Sequence, residues 1–216
     1  MRIDSAGFPF IVGTLVLAAL AGAASGWLFA APFLLFGLFF AFFFRDPERH
    51  APSTATGNDV LSPADGKVLI AGDAMADAAP SGASPASWRQ ISIFLSPMDV
   101  HVNRVPASGR VTRVVLTRGR FLPAYRREAA TSNERCEIWI DHDGQPIVAR
   151  QIVGILARRV VCRLDEGDRV RAGDRLGIMK FGSRMDVFVP ANALICVKVG
   201  DNVRGGETVI AVLHST

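Results

Sequence analysis

The 216-residue chain predicts a mainly β body, a compact sandwich or barrel, preceded by an N-terminal helical hairpin that lies in a membrane. Three observations carry this. Residues 5–44 include no charged side chain, and ten of the fourteen Phe fall at or before Phe44. After Arg45 the pattern changes to short alternating runs broken by Gly, Pro, Asn and Asp, as strands and turns require. Near the C-terminus a ten-residue pattern occurs twice, which points to a body assembled from matched pieces.

A helix rises about 1.5 Å per residue and the hydrocarbon core is about 30 Å thick, so about 20 apolar residues cross it once. The uncharged stretch is too long for a single crossing. Gly22, Gly26 and their small neighbours divide it into an Ala/Leu/Val half, 8–20, and a Phe-rich half, 27–44. The prediction is a tight helical hairpin, giving a membrane-anchoring segment 1–44 and a body 45–216. A secretory signal peptide cleaved near Ala21-Gly22-Ala23 is the competing reading, but Asp4 spoils its basic leader and a second apolar half follows at once. Arg45 and Arg49 are the expected cytoplasmic anchors.

Lys and Arg total 24 against 20 Asp and Glu, a net charge of +4, and the arginines are scattered among acids. No nucleic-acid partner is expected; a mild positive excess suits an anionic membrane surface. Cys136, Cys162 and Cys196 form no C-x-x-C and have no neighbouring His, so they read as reduced, buried thiols, with no metal site.

Within the body the candidate strands are 66–71, 90–95, 109–116, 137–140, 146–153, 159–163, 175–181, 185–189, 195–199 and 208–213. Residues 72–87, rich in Ala, Ser, Pro and Gly, read as a flexible connection. The repeated pattern matches Gly167-Asp-Arg-Val-Arg-Ala-Gly-Asp-Arg-Leu with Gly200-Asp-Asn-Val-Arg-Gly-Gly-Glu-Thr-Val at an offset of 33 residues. It resembles the duplicated halves of biotinyl and lipoyl carrier domains, which implies a β-sandwich or barrel of that kind.

Three segments stand out as chemistry. Ser62-Pro-Ala-Asp-Gly-Lys-Val68 delivers Asp65 just ahead of a strand, where an Asp-Gly turn that merely caps is the plainer reading. Leu95 to Pro106 places His101 in a dense polar set. In Met179-Lys-Phe-Gly-Ser-Arg-Met-Asp-Val187 a Gly-Ser pair interrupts a strand pattern. Glycine permits unusual dihedrals, and a Ser directly after it can turn its hydroxyl back on the glycine carbonyl and take over the acyl group.

Taken in order, Ser62 to Val68, His101-Val-Asn-Arg104, Asn133-Glu134-Arg135 and Lys180-Phe-Gly-Ser-Arg184 resemble the short form of phosphatidylserine decarboxylase, as does the leader ending Phe43-Phe44-Arg45-Asp46-Pro47. The resemblance implies an enzyme that cleaves itself between Gly182 and Ser183, leaving β and α chains from one precursor, and converts Ser183 into a covalent pyruvoyl group. That group is the electron sink that turns phosphatidylserine into phosphatidylethanolamine and carbon dioxide. Residue by residue, Ser183 matches the pyruvoyl serine, His101 the histidine and Asp65 the aspartate of the family's Asp-His-Ser set, in which the acid orients an imidazole that takes the Ser proton. Larger members carry a second histidine and a Leu-Gly-Ser-Thr sequence where this chain has Arg104 and Phe181-Gly-Ser-Arg184, so His101 then serves both maturation and turnover. Asn133, Glu134, Arg135, Lys180 and Arg104 are expected in supporting roles. The enzyme is expected on the inner cell membrane with its body on the cytoplasmic face, and the mix of aromatic, aliphatic and arginine side chains over 118–127 suits an interfacial loop, with an ordinary solvated basic loop as the alternative. The resemblance leaves homo-oligomerisation open, as well as an ether-linked lipid substrate. The rival is a membrane-anchored biotinyl or lipoyl carrier or adaptor with Lys180 as the modified lysine, a reading that leaves Asp65 and His101 without a role.

Overall fold

The computed structural model describes residues 2–75, 77–80, 87–155, 160–180 and 182–214. They form two compact units, Met1–Glu48 and Arg49–Thr216. In the first, strand β1 (Arg2–Ile3) and a 3-10 turn (Ser5–Gly7) lead into α1 (Phe8–Ser25), α2 (Trp27–Phe43) and β2 (Arg45–Asp46). Pairing of β1 with β2 puts Arg2 opposite Asp46, and the Asp4 N–H donates to the Phe44 carbonyl at 2.8 Å, closing the base of the hairpin. Phe10 packs on Phe40 and Phe44 with ring centroids 5.3 and 5.5 Å away. The first helix runs past the expected Leu20 to Ser25 because the Ala-rich stretch after it is a good helix former. Among the described residues one helix, Ser5–Ser25, is long and apolar enough to cross a membrane, and the 17-residue α2 is shorter. Val12, Leu20, Leu28 and Phe36 are exposed, an outer surface that suits lipid rather than water.

The body is mainly β. Its strands are β3 (Asp59–Leu61), β4 (Gly66–Asp73), β5 (Trp88–Leu95), β6 (Val102–Arg104), β7 (Gly109–Thr117), β8 (Arg135–His142), β9 (Gln145–Ile152), β10 (Val160–Cys162), β11 (Arg169–Val170), β12 (Arg175–Met179), β13 (Ser183–Pro190), β14 (Leu194–Ile195), β15 (Asn202–Val203) and β16 (Val209–Val212), with one short helix, α3 (Ala129–Ser132). The largest sheet has the order β11-β7-β8-β9-β13-β5-β4-β15 and curls as a half-barrel. Two three-stranded sheets, β10-β12-β6 and β14-β16-β3, contribute to the same core. Alternation decides which side chains enter it: Ile91, Ile93 and Leu95 point in, as do Met185, Val187 and Ile147, each burial contributing roughly 1.5–3 kcal/mol.

The centre of the opposite face of the large sheet is also buried and carries polar side chains beside an apolar cluster of Trp88, Val148 and Phe188. Arg184 binds Asp186 at 2.6 Å and Arg150 binds Glu137 at 2.8 Å. Arg150 also donates to the Ala78 carbonyl at 2.7 Å, so the chain after β4 lies over this layer. Charges this deep persist because each has an opposite partner and further hydrogen bonds.

The sequence repeat is a structural one. In the first copy β11 forms one edge of the large sheet and β12 the centre of a small sheet; in the second β15 forms the opposite edge and β16 the centre of the other small sheet. The hydrogen bonds repeat as well: Gly167 N–H donates to Val111 O and Gly200 N–H to Val68 O, at 2.8 and 2.9 Å. The likeness extends to a pair of turns, Ser62-Pro-Ala-Asp-Gly-Lys-Val68 and Val105-Pro-Ala-Ser-Gly-Arg-Val111. Nothing beyond this duplication links the body to carrier domains.

Several expectations need correction. The strand expected over 195–199 ends at Ile195, because the Lys198 N–H turns onto the Asp201 carboxylate at 3.0 Å. The strand over 175–181 ends at Met179, and the next begins at Ser183, so the Gly-Ser pair lies at a crossing between two sheets rather than within one strand. The connection expected over 72–87 starts later, since Gly72 and Asp73 end β4 and Ala78 is held by Arg150, while residues 76 and 81–86, Arg159 and Phe181 lie outside the described residues. Only Cys136 is buried; Cys162 is half-buried and Cys196 exposed, and all three are free thiols. Cys136 donates to Cys162, which holds the Cys162 thiol below its ordinary range.

Candidate active site

Ser183 opens β13 and is fully buried between β5 and the end of β9. Its Oγ has no hydrogen-bond partner among the described residues. A buried hydroxyl left unpaired costs about 1–3 kcal/mol, an expense that structure alone does not explain. The residue before it, Gly182, has φ +70°, a left-handed conformation that a side chain would strain.

His101, also fully buried, stands just ahead of β6. Its Nδ1 lies 3.0 Å from the Asp99 carbonyl oxygen, which only an N–H can satisfy. The ring is thereby held with Nε2 as the acceptor, and Nε2 receives the Gly182 N–H at 3.4 Å. The structure thus brings His101, Gly182 and Ser183 together, with the imidazole lone pair aimed at the Gly-Ser junction.

Asp65 stands in the turn just ahead of β4. Its Oδ1 accepts from the Gly205 N–H at 2.8 Å and its Oδ2 binds Arg49 at 2.7 Å. Burial pushes the Asp65 carboxyl above its ordinary range, against the lowering effect of Gly205 and Arg49. At Nδ1 the ring is held by the backbone carbonyl of Asp99. Arg49 is no membrane anchor: it lies in the body, bound to Asp65 and to Glu207 at 2.9 Å. Arg104, on β6, donates its N–H to Pro63 O at 2.8 Å and its guanidinium to Gly173 O at 3.2 Å, tying the Asp65 turn to the strand that follows His101. Half-buried Lys180 follows Met179, whose N–H reaches the His101 carbonyl at 3.3 Å.

Asn133 is a clamp. Its side chain accepts from Leu122 N–H at 2.9 Å and donates to the Leu122 and Val153 carbonyls, both at 2.8 Å. Glu134 works through its backbone, accepting from Val153 N–H at 3.1 Å. Arg135 donates to Thr131 O at 2.8 Å, and burial together with Arg150 lowers its pKa. These contacts hold one wall of an apolar cavity of about 380 Å³ lined by Phe94, Pro97, Pro123, Ala124, Tyr125, Ile155 and Gly182. Two further buried residues lie beside the site, Asn103 from the His101–Arg104 motif and Gln151, which the sequence reading did not single out. Asn103 and Gln151 share a hydrogen bond of 2.9 Å, and each keeps one polar atom unpaired among the described residues. For Gln151 the one signal was its polarity within an apolar strand pattern.

A buried hydroxyl without a partner among the described residues, a left-handed glycine just before it and an imidazole acceptor on that glycine's N–H thus lie together beside an apolar cavity. This is the arrangement of a protein whose backbone has a hydroxyl and a base at one peptide bond. No group of three or more metal-ligating side chains occurs among the described residues. The phosphatidylserine decarboxylase family model matches residues 36–211, and the chain belongs to that family. It is 46% identical to the phosphatidylserine decarboxylase proenzyme of Chlorobium chlorochromatii over 189 residues, which is 87% of this chain and 84% of that one. The proenzymes of Nitrosomonas europaea and Solibacter usitatus are 39% and 40% identical, over 96% and 98% of this chain and 94% and 97% of theirs.

Proposed function

We propose that the chain decarboxylates phosphatidylserine to phosphatidylethanolamine and carbon dioxide, after cutting itself between Gly182 and Ser183. The observation that carries the reading is the buried, unpartnered Ser183 hydroxyl behind a left-handed Gly182 whose N–H rests on His101 Nε2. The 3.4 Å contact is long and exchanges readily for the hydroxyl proton. Nε2 takes that proton, Oγ bonds to the Gly182 carbonyl carbon, the C–N bond breaks, and the proton passes to the Ser183 nitrogen, leaving an ester. The Asp99 carbonyl stabilises the imidazolium while it exists. β-Elimination then removes the Ser183 α-proton and frees the Gly182 carboxylate, leaving a dehydroalanine whose imine tautomer is hydrolysed by water with release of ammonia, so that Ser183 becomes the pyruvoyl terminus of the small chain. That group supplies the electron sink for decarboxylation. Its position suits such chemistry, since Ser183 is shielded from water and Gly182 lines a cavity of apolar walls. In turnover His101 returns the proton. Asp65 and Arg104 serve as positioning residues for β6, and Lys180 as a charge beside the junction.

The lipid reaches the site from a membrane. Met98, Phe121, Tyr125 and Ile155 expose apolar surface on and beside the cavity's loops, and Arg118, Arg120, Arg126 and Arg127 are exposed on the same 118–127 segment. This composition suits the headgroup region of an anionic leaflet. The helical hairpin anchors the chain in the inner membrane, with Arg45 at its cytoplasmic end.

Intact mass under denaturing conditions tests the reading. Wild type gives chains of 182 and 34 residues, the smaller without a free amino terminus, and Ser183→Ala gives one chain of 216. Active wild-type protein consisting of a single full-length chain would overturn it.

A further inference from the structure

Gly154 follows β9 across from the Gly-Ser junction and is buried. Its φ is not positive, so its own conformation does not demand glycine. Space does. A Cβ on Gly154 would overlap the carbonyl oxygen of Gly182 and come within 3.1 Å of the carbonyl carbon, with the Ala124 methyl 3.5 Å away. At Gly182 the situation is reversed: a Cβ there would meet nothing within 4 Å, and only the +70° dihedral calls for glycine.

Gly154 has little freedom to move. Val153, just before it, is held at both polar atoms, its N–H on the Glu134 carbonyl at 3.1 Å and its carbonyl on Asn133 Nδ2 at 2.8 Å. The Asn-Glu pair therefore fixes the strand end on which the Gly182 carbonyl rests. Gly182 is located from two sides, its N–H by His101 Nε2 and its carbonyl oxygen by the bare Cα of Gly154.

We propose that Gly154 is a positioning residue for self-cleavage: its missing side chain is the seat that turns the Gly182 carbonyl to face Ser183 Oγ. The proposal rests on the reading that the cut falls between Gly182 and Ser183. A methyl group at the seat rotates the peptide plane and takes the carbonyl carbon out of line with the nucleophile. Misplacement of a reacting atom by about 1 Å costs about 10²-fold in rate.

The test uses the full chain, synthesised in a short pulse with detergent, and follows conversion of precursor to two chains by mass. Gly154→Ala should process about 10²-fold more slowly at every pH, with the midpoint of the pH profile unchanged because the base is intact. Hydroxylamine, which cleaves an ester at Gly182 but not the peptide, should release no additional 34-residue fragment from Gly154→Ala, since its block precedes ester formation. In a Ser183→Ala background, adding Gly154→Ala should leave a cooperative melting transition. Wild-type processing by Gly154→Ala, accumulation of the ester, a shifted pH midpoint, or loss of the fold in the Ser183→Ala background would each overturn the proposal. Wild-type masses that place the cut elsewhere would overturn the cleavage reading itself, and with it this role.

Discussion

Asp65 has an internal control in Ser108, its counterpart in the duplicated turn. Ser108 Oγ accepts the Ala172 N–H at 3.0 Å just as Asp65 Oδ1 accepts the Gly205 N–H, and Ala172 and Gly205 occupy matching places in the two repeats. Capping is thus what both halves need; the carboxylate adds the Arg49 bond. Asp65→Asn keeps the cap, so it should slow self-cleavage far less than His101→Ala, which removes the base and costs on the order of 10²- to 10⁴-fold. Pulse-labelled precursor measures both, and Asp65→Asn as slow as His101→Ala would mean that the carboxylate acts on the imidazole after all. The same variant has a pH signature. Because burial raises the Asp65 pKa in the folded chain above 3.8, folding is helped most below that value, and the help is lost as pH climbs through the raised pKa. Chemical denaturation across that range should show this decline in wild type and lack it in Asp65→Asn.

At the scale of elements, the 118–127 segment depends on one side chain for its seat. Asn133→Ala removes three hydrogen bonds and strands the Leu122 and Val153 carbonyls, at a cost of about 1–3 kcal/mol for each buried group left unpaired. The loop should loosen while the sheet survives, read as faster hydrogen exchange over 119–125 with a cooperative melt retained; unchanged exchange would show that the clamp is dispensable. Strands such as β5 and β13 were legible from their alternation, and the Gly-Ser pair from its break in that pattern. The crossing from β12 to β13 was not, because residues bound for two different sheets read as one apolar run. The Asp99 carbonyl was equally hidden, since a backbone acceptor can come from any residue, whereas a carboxylate in a motif draws the eye to Asp65.

Across the whole molecule, composition separated the apolar hairpin from the β body, and the offset of 33 residues located the duplication. Pairing partners lay beyond reach: nothing local in two-residue strands such as β11 and β15 indicates that they border opposite edges of one sheet. One strand of that sheet has a thermodynamic consequence. After a cut ahead of Ser183, β13 still lies between β5 and β9, β15 still pairs with β4, and β16 with β3. The small fragment is therefore woven through the large one and should remain bound without a peptide link. Unfolding, however, becomes a dissociation. The midpoint of the processed enzyme should rise with protein concentration, and its refolding should be second order, while Ser183→Ala refolds at a rate independent of concentration. A midpoint of the processed form that ignores dilution would contradict this. Once the strands part, mass action opposes their return, so the working lifetime of each processed molecule is set by how slowly it first opens.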